Sequence, residues 1–237
     1  MPAPRPVFIP GVGSIPDDFA RQSEVFDGCV VHAPDMTDQA ARTPPTSTRE
    51  HAERLALELR STPGPTVLVG HSLGAAIAIE TALHEPELVD GLVLVTSGAH
   101  IPMPDTRLRA VKEDFAAECN RLARASFVAA TDEQLVQRRE ALMRAGQDVL
   151  SAGYACCRDY DARGRLADVE VPALVIAAAD DVLMPTSLSE ELANGLPMAH
   201  MVVVEGSGHL LPIERPAALD LLVAGYLARL ELTLAGM

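Results

Sequence analysis

Three side chains that could together perform nucleophilic catalysis occur in order along the chain. Ser72, Asp181 and His209 each lie on a loop that follows an apolar run with the composition of a buried strand. The carboxyl ends of parallel strands meet at one edge of a sheet, so these three side chains can converge. A serine hydroxyl becomes a nucleophile when a histidine takes its proton and a carboxylate orients that histidine. The sequence therefore predicts a Ser-His-Asp triad.

The serine lies in Gly70-His71-Ser72-Leu73-Gly74, which matches the pattern G-x-S-x-G. In this pattern the chain turns sharply from a strand into a helix and exposes the serine hydroxyl. The apolar run 67–69 precedes it and the alanine-rich run 75–83 follows it. Glycine is needed at both ends because the turn brings backbone segments too close for a Cβ atom. So short a pattern can also mark a purely structural turn, and the flanking strand and helix carry the prediction of a nucleophile.

An acyl-transfer site also needs two backbone N–H groups that stabilise the oxyanion. One comes from the residue after the nucleophile, and the other from a loop after an early strand. We assign these donors to Leu73 and to Val12, which lies in the loop Pro10-Gly11-Val12-Gly13-Ser14 after the predicted strand 7–9. The alternative for this loop is an ordinary glycine-rich turn between a strand and a helix.

The sequence predicts no cofactor and no metal ion. Gly11-Val12-Gly13 lacks the third glycine and the downstream acidic residue of a dinucleotide site. The seven histidines form no H-E-x-x-H or comparable ligand pattern. The cysteines show no C-x-x-C spacing, so we expect free thiols in a reducing compartment at Cys29, Cys119, Cys156 and Cys157.

The order of the predicted elements favours an α/β fold with a parallel sheet covered on both faces. Predicted strands at 7–9, 29–33, 67–69, 92–95, 172–178 and 201–204 alternate with helices. From about residue 100 to 160 the pattern is helical only, with predicted helices at 107–124, 132–145 and 149–158. We expect a core of residues 1–99 and 161–237, and a helical lid of residues 100–160 over the ends of the strands. The alternative is that these helices extend the core.

The amino-acid composition limits the kinds of molecule that the protein is expected to bind. The chain has 33 acidic and 19 basic side chains and a formal net charge of −14, which disfavours binding to nucleic acid or to an anionic membrane. The absence of a secretion signal or a long apolar run predicts a soluble, cytoplasmic protein. With 48% hydrophobic but only 3% aromatic residues, the substrate pocket should be aliphatic. The sequence leaves open whether the chain forms a homodimer.

The chain resembles α/β-hydrolase-fold enzymes of the lidded esterase, thioesterase and lactonase type. The resemblance rests on the elbow at Ser72, on Asp181-Val182-Leu183-Met184-Pro185, and on the segment 206–216, which contains His209. The order serine, acid, histidine is that of this family. It implies that Ser72 attacks the acyl carbon, His209 acts as general base and then acid, and Asp181 orients His209. It implies no cofactor.

The chain also departs from the family pattern. Pro10-Gly11 stands where such enzymes commonly have His-Gly, so a side chain that often braces the oxyanion loop is missing. The first hairpin is absent, which leaves about six strands. A turn at Pro34-Asp35 is followed by a polar loop, 36–48, without the usual Gly-x-Gly-x-Ser. Asp180 competes with Asp181 for the acid role, and the four-residue spacing to Pro185 favours Asp181.

Three functions fit these features. The leading prediction is hydrolysis of a small or medium carboxylic ester, with thioesters and lactones as close alternatives. Hydrolysis of a carbon–carbon bond in a ring-cleavage product would use the same residues. A ligand receptor that keeps the triad but turns over little is the alternative outside enzymology, since a fold does not define a function.

Arginines in the predicted lid raise the question of an anionic substrate, including an acyl-coenzyme A. The residues concerned are Arg107, Arg109, Arg121 and Arg124. The alternative is that they form the solvated face of a helix, as charged residues on helices usually do. The sequence does not decide between the two.

Overall fold

A six-stranded, entirely parallel sheet organises the protein. The structure is a computed structural model that describes residues 3–13, 16–32, 44–61 and 64–236. The strands are β1 (Arg5–Ile9), β2 (Val30–Val31), β3 (Thr66–His71), β4 (Gly91–Val95), β5 (Ala173–Ala178) and β6 (Ala199–Val204). Their order across the sheet is β2-β1-β3-β4-β5-β6, and all five pairings are parallel.

Helices connect the strands on both sides of the sheet. In chain order they are α1 (Ala20–Val25), α2 (Thr48–Arg60), α3 (Leu73–His84), α4 (Asp105–Glu113), α5 (Phe115–Ala125), α6 (Asp132–Ala145), α7 (Gln147–Asp159), α8 (Thr186–Gly195), α9 (Leu211–Glu214) and α10 (Pro216–Ala235). Within the described ranges, none of these helices is long and apolar enough to span a membrane.

Each face of the sheet is covered by its own hydrophobic cluster. In β3, Leu68 belongs to the cluster that contains residues of α2, α3 and α8, whereas Val67 and Val69 belong to the cluster that contains residues of α10. Every residue of β3 is buried. Burial on both faces explains why the strands read as continuous apolar runs rather than as alternating patterns. The predicted doubly wound parallel sheet is confirmed.

Two local predictions were wrong in detail. The predicted helix 107–124 is interrupted at Asp114, whose φ of −150° and ψ of 83° end α4. The Asp114 side chain then accepts a hydrogen bond of 3.0 Å from the N–H of Ala117 and caps α5. The second strand, predicted over 29–33, is only two residues long in the described part of the chain. The predicted Pro34-Asp35 turn and residues 36–43 of the following loop lie outside the described residues.

The helical stretch between β4 and β5 is tied to the core at its base. His100 and Asp161 form an isolated antiparallel bridge, and the N–H of Ala162 donates to the carbonyl of Ala99 over 2.8 Å. Between these residues the chain forms only α4 to α7 and their connections. These helices share a hydrophobic cluster of their own, which includes Tyr154.

The contact between α3 and β1 leads to a prediction about stability. A Cβ atom at Gly74 would lie 1.9 Å from the carbonyl oxygen of Ile9, so Gly74→Ala must displace backbone. We expect a loss of about 3 kcal/mol in the free energy of unfolding, measured by urea titration. The matched control is Gly225→Ala in α10, where a Cβ atom would meet nothing within 4 Å. This change should add about 0.5–1 kcal/mol, and equal midpoints for the two variants would contradict the described packing.

Candidate active site

Ser72 lies at a strained turn between β3 and α3. Its φ of 54° and ψ of −119° fall in a region that residues with a side chain rarely occupy. The turn is held by its backbone, because the N–H of Ser72 donates to Val95 over 2.9 Å and its carbonyl accepts from the Ser97 hydroxyl over 3.0 Å. A Cβ atom at Gly70 would lie 2.5 Å from the backbone of Ala75. The turn therefore requires the glycine that the sequence pattern contains.

His209 bridges the other two predicted site residues. The Nε2 atom of its ring lies 3.0 Å from Oγ of Ser72, and Nδ1 lies 2.8 Å from Oδ2 of Asp181. With the proton on Nδ1, the ring donates to the carboxylate and accepts from the serine hydroxyl. All three residues are largely buried, with exposed fractions of 7% for Ser72, 5% for Asp181 and 8% for His209. The structure thus brings the three together at the carboxyl edge of the sheet.

Asp181 is held as a carboxylate by its own loop. Its Oδ1 atom accepts hydrogen bonds from the backbone N–H groups of Leu183 and Met184, at 2.8 and 2.9 Å. Burial disfavours the charged form, but the charge of His209 and these hydrogen bonds outweigh it and lower the pKa of Asp181 below its ordinary value. Asp180, the alternative considered above, is exposed, and its N–H donates to the carbonyl of Ser207.

Two side chains hold the backbone of His209, and one of them adjoins the nucleophile. The Nε2–H group of His71 donates to the carbonyl of His209 over 2.8 Å, and the hydroxyl of Thr96 donates to the same oxygen over 3.1 Å. Burial, and then the charge of neighbouring His209, lowers the pKa of His71 to about 3. His71 therefore stays neutral near neutral pH and keeps this donor role. Nothing in the sequence identified Thr96.

The two assigned oxyanion donors lie beside Ser72. A Cβ atom at Gly11 would lie 2.8 Å from Cβ of Ser72, so the loop that carries Val12 passes very close to the nucleophile. Val12 lines the same cavity as Ser72 and His209. Leu73 is the first residue of α3, and N–H groups in a first helical turn have no partner within the helix. Leu73 thus has an N–H group without a partner in its helix, and Val12 lies in a loop that passes beside Ser72.

Arg138 of α6 braces this loop, and sequence reasoning missed it. Its guanidinium donates to the carbonyls of Gly13 and Val12, at 2.9 and 3.3 Å, and to Oδ2 of Asp18 at 3.2 Å. Burial lowers the pKa of Arg138, and the charge of Asp18 opposes this effect. An arginine remains charged in either case. In this chain, which has proline at position 10, Arg138 therefore holds the loop through two of its carbonyl groups.

A cavity of about 390 Å³ opens onto Ser72 and His209. We call it the Ser72 cavity; it is lined by Val12, His71, Ser72, Ile101, Pro102, Met103, Pro104, Arg107, Arg121, Leu122, Ser126, Arg138, Tyr154, Cys157, Val182, Leu183, Met184, Pro185 and His209.

Burial raises the pKa of the Cys157 thiol, and neighbouring Cys156 adds to the effect, so the thiolate form of Cys157 is disfavoured. Among the described residues, no group of three or more His, Cys, Asp or Glu side chains could hold a metal ion.

Comparison with known proteins identifies the family. Residues 7–220 match the model of the Alpha/beta hydrolase family, and the chain belongs to this family. The crystal structure of the enol-lactonase from Burkholderia xenovorans has the same fold, with a TM-score of 0.83 over 96% of this chain and 92% of that chain, at 19% identity. The resemblance to the α/β-hydrolase superfamily is thereby confirmed.

Curated relatives cover part of the chain. A putative carbamate hydrolase RutD from Pseudomonas savastanoi is 30% identical over 160 residues, which are 62% of this chain and 62% of that protein. A pimeloyl-[acyl-carrier protein] methyl ester esterase from Yersinia enterocolitica is 29% identical over 191 residues, 74% of each protein. The chain thus spans less than two thirds of the length of the first of these relatives.

The brace on the Val12 loop leads to a second prediction about stability. In Arg138→Met, two loop carbonyls and the Asp18 carboxylate each lose a buried donor. We expect the free energy of unfolding to fall by about 2–3 kcal/mol. The control is Arg144→Met on the same helix, where the exposed pair with Glu140 spans 3.7 Å and contributes less than about 0.5 kcal/mol. Similar urea midpoints for the two variants would show that Arg138 does not brace the loop.

Proposed function

We propose that the protein is a serine hydrolase that cleaves a small or medium carboxylic ester through an acyl-enzyme on Ser72. The observation that supports this proposal most directly is the chain of contacts from Oγ of Ser72 to Nε2 of His209, 3.0 Å, and from Nδ1 to Oδ2 of Asp181, 2.8 Å. A hydroxyl in this geometry can lose its proton to the ring as it attacks. The carboxylate stabilises the imidazolium that results.

In the first half of the reaction, Oγ of Ser72 bonds to the acyl carbon while its proton moves to Nε2 of His209. The N–H groups of Val12 and Leu73 stabilise the negative charge that develops on the carbonyl oxygen. When the tetrahedral intermediate collapses, the bond to the alcohol oxygen breaks. His209 then donates its proton to that oxygen, so the alcohol leaves neutral and the acyl group stays on Ser72.

In the second half, water replaces the alcohol. His209 takes a proton from the water, whose oxygen attacks the acyl carbon, and the proton then returns to Oγ of Ser72 as the acid is released. Asp181 remains ionised throughout, in keeping with its lowered pKa. This cycle needs the ring of His209 to keep its position between two partners, and the hydrogen bonds from His71 and Thr96 to its carbonyl provide that support.

The cavity and the relatives support this choice of substrate class. Two curated relatives are named as a carbamate hydrolase and a methyl ester esterase. A carbamate and a methyl ester each contain a carbonyl carbon bonded to a heteroatom. The volume of about 390 Å³ suits an acyl group of small or medium size. Much of the wall is aliphatic, from Ile101, Met103, Leu122 and Leu183. Thioesters and lactones fit the same chemistry.

In this proposal, residues 100–160 act as the lid of the site, and residues 1–99 and 161–237 form the hydrolase core. Helices α4, α5, α6 and α7 each contribute to the cavity wall, through Arg107, Leu122, Arg138 and Tyr154 respectively. A lid in this place excludes water and defines the length of the acyl group that can enter.

A series of p-nitrophenyl esters of increasing acyl length tests the proposal. The native protein should turn over the shorter members, and Ser72→Ala and His209→Ala should each lower kcat by about 10⁴-fold or more. Circular dichroism should show that both variants are folded. If the folded native protein hydrolyses none of the esters, a triad-bearing receptor replaces this proposal. Analysis of the products formed from a ring-cleavage product would distinguish cleavage of a carbon–carbon bond from cleavage of an ester.

The two adjacent acids provide a matched pair for the third triad position. Asp181→Asn should lower kcat by about 10³–10⁴-fold, because the amide favours the wrong tautomer of His209. Asp180→Asn should leave kcat within about twofold, because Asp180 is exposed and does not contact His209. Both effects are read from the same ester at saturating concentration. The reverse order of effects would overturn the assignment of Asp181.

A further inference from the structure

The Ser72 cavity has an unusual charge for this protein. Its lining includes no Asp or Glu but three arginines, Arg107, Arg121 and Arg138, of which Arg138 is paired with Asp18. The whole chain, in contrast, has 33 acidic and only 19 basic side chains. Positive side chains beside apolar cavity walls act on a ligand more strongly than the same charges on an open surface, because the walls exclude part of the water that would screen them. The cavity is therefore suited to an anionic group.

Two of these arginines share one buried carboxylate. Glu118 of α5 accepts from Nη1 of Arg107 at 3.0 Å and from Nη2 of Arg121 at 2.7 Å, and the hydroxyl of Tyr154 donates to it at 2.9 Å. The side chain of Glu118 is only 2% exposed. One negative charge thus faces two positive charges, and the cluster of Arg107, Glu118 and Arg121 has a formal charge of +1. We call these three residues the Glu118 cluster.

The Glu118 cluster leaves donors for a ligand. The contacts with Glu118 use Nη1 of Arg107 together with Nε and Nη2 of Arg121. Within the described ranges, no hydrogen bond is found for Nη2 of Arg107 or for Nη1 of Arg121. Glu118 holds both guanidinium groups against the wall of the cavity, so their free donors need little ordering to bind a second carboxylate.

The other two arginines considered in the sequence do not belong to the cavity. Arg109 and Arg124 are exposed, and neither lines the cavity wall. The two hypotheses for the lid arginines thus apply to different residues: Arg109 and Arg124 lie on solvated helix faces, and Arg107 and Arg121 face the site. Arg124 lies one turn from Arg121 on the same helix, which makes it a matched control.

We propose that the acyl group of the natural substrate carries a carboxylate, which binds to Arg107 and Arg121 of the Glu118 cluster. This inference rests on the proposed esterase function and specifies the substrate of the same site. The substrate is then a half-ester of a dicarboxylic acid, or a lactone that carries a free carboxylate. A volume of about 390 Å³ holds such an acyl chain. Guanidinium groups also bind a planar carboxylate through paired hydrogen bonds.

Two esters of similar shape, one anionic and one neutral, test this inference. The first is the p-nitrophenyl half-ester of glutaric acid, and the second is a neutral ester in which an isopropyl group replaces the free carboxylate. The quantity measured is the ratio of kcat/KM for the anionic ester to kcat/KM for the neutral ester. The native protein should favour the anionic ester, through a lower KM.

Removal of a positive charge from the Glu118 cluster and removal of its negative charge should change this ratio in opposite directions. Arg121→Gln should lower the ratio by about tenfold, through the KM of the anionic ester. Glu118→Gln should raise it, because both arginines lose the carboxylate that neutralises them. Arg124→Gln should leave it unchanged, because an exposed charge is screened by solvent. Arg107→Gln, at a half-buried position, gives a second test if Glu118→Gln does not fold.

The outcomes separate this inference from the proposed function. If the neutral ester is hydrolysed but the ratio is the same in the native protein, Arg121→Gln and Arg107→Gln, the Glu118 cluster has a structural role only and the inference is wrong. If Arg121→Gln and Arg124→Gln change the ratio equally, the effect is one of overall charge and the inference is also wrong. If neither ester is hydrolysed, the proposed function itself fails.

Discussion

The strained backbone at Ser72 is the constraint on which the rest of the site depends. A residue with a side chain at φ 54° persists only where its surroundings determine the turn more strongly than its own preference does. Here β3 is buried on both faces, α3 packs against β1 with no room for a Cβ atom at Gly74, and Val95 binds the N–H of Ser72. The sheet thus fixes the position of Ser72, the proposed nucleophile, and the loops after β5 and β6 bring Asp181 and His209 to it.

Hydrogen bonds to the backbone then determine the position of His209, the proposed base. His71 belongs to the elbow and Thr96 follows β4, yet both donate to the carbonyl of His209 on the loop after β6. The ends of β3, β4 and β6 are thereby linked through the carbonyl oxygen of His209. Because burial lowers the pKa of His71 and keeps its ring uncharged, this link does not change with pH near neutrality. The uncharged ring of His71 thus keeps its hydrogen bond to the carbonyl of His209.

The sequence predicted the parts of the structure that local patterns encode. The elbow glycines, the strand runs and the Asp181 loop each contain their own signal, and the six-stranded parallel sheet follows from them. The break at Asp114, the brace by Arg138 and the inward direction of Arg107 and Arg121 depend on contacts between distant segments. On a helix, an arginine that braces a loop or lines a cavity has the same local signal as an arginine in solvent. These residues could be assigned only from the packed structure.

In the proposed reaction, Ser72 carries the acyl group during turnover. The most direct measurement is acid quenching during hydrolysis of a p-nitrophenyl ester, followed by intact-protein mass spectrometry and peptide mapping. We expect one acyl adduct per chain, located on Ser72 and absent from Ser72→Ala. An adduct on another residue of the cavity, such as Ser126 or Cys157, would contradict it, and so would turnover that persists in Ser72→Ala.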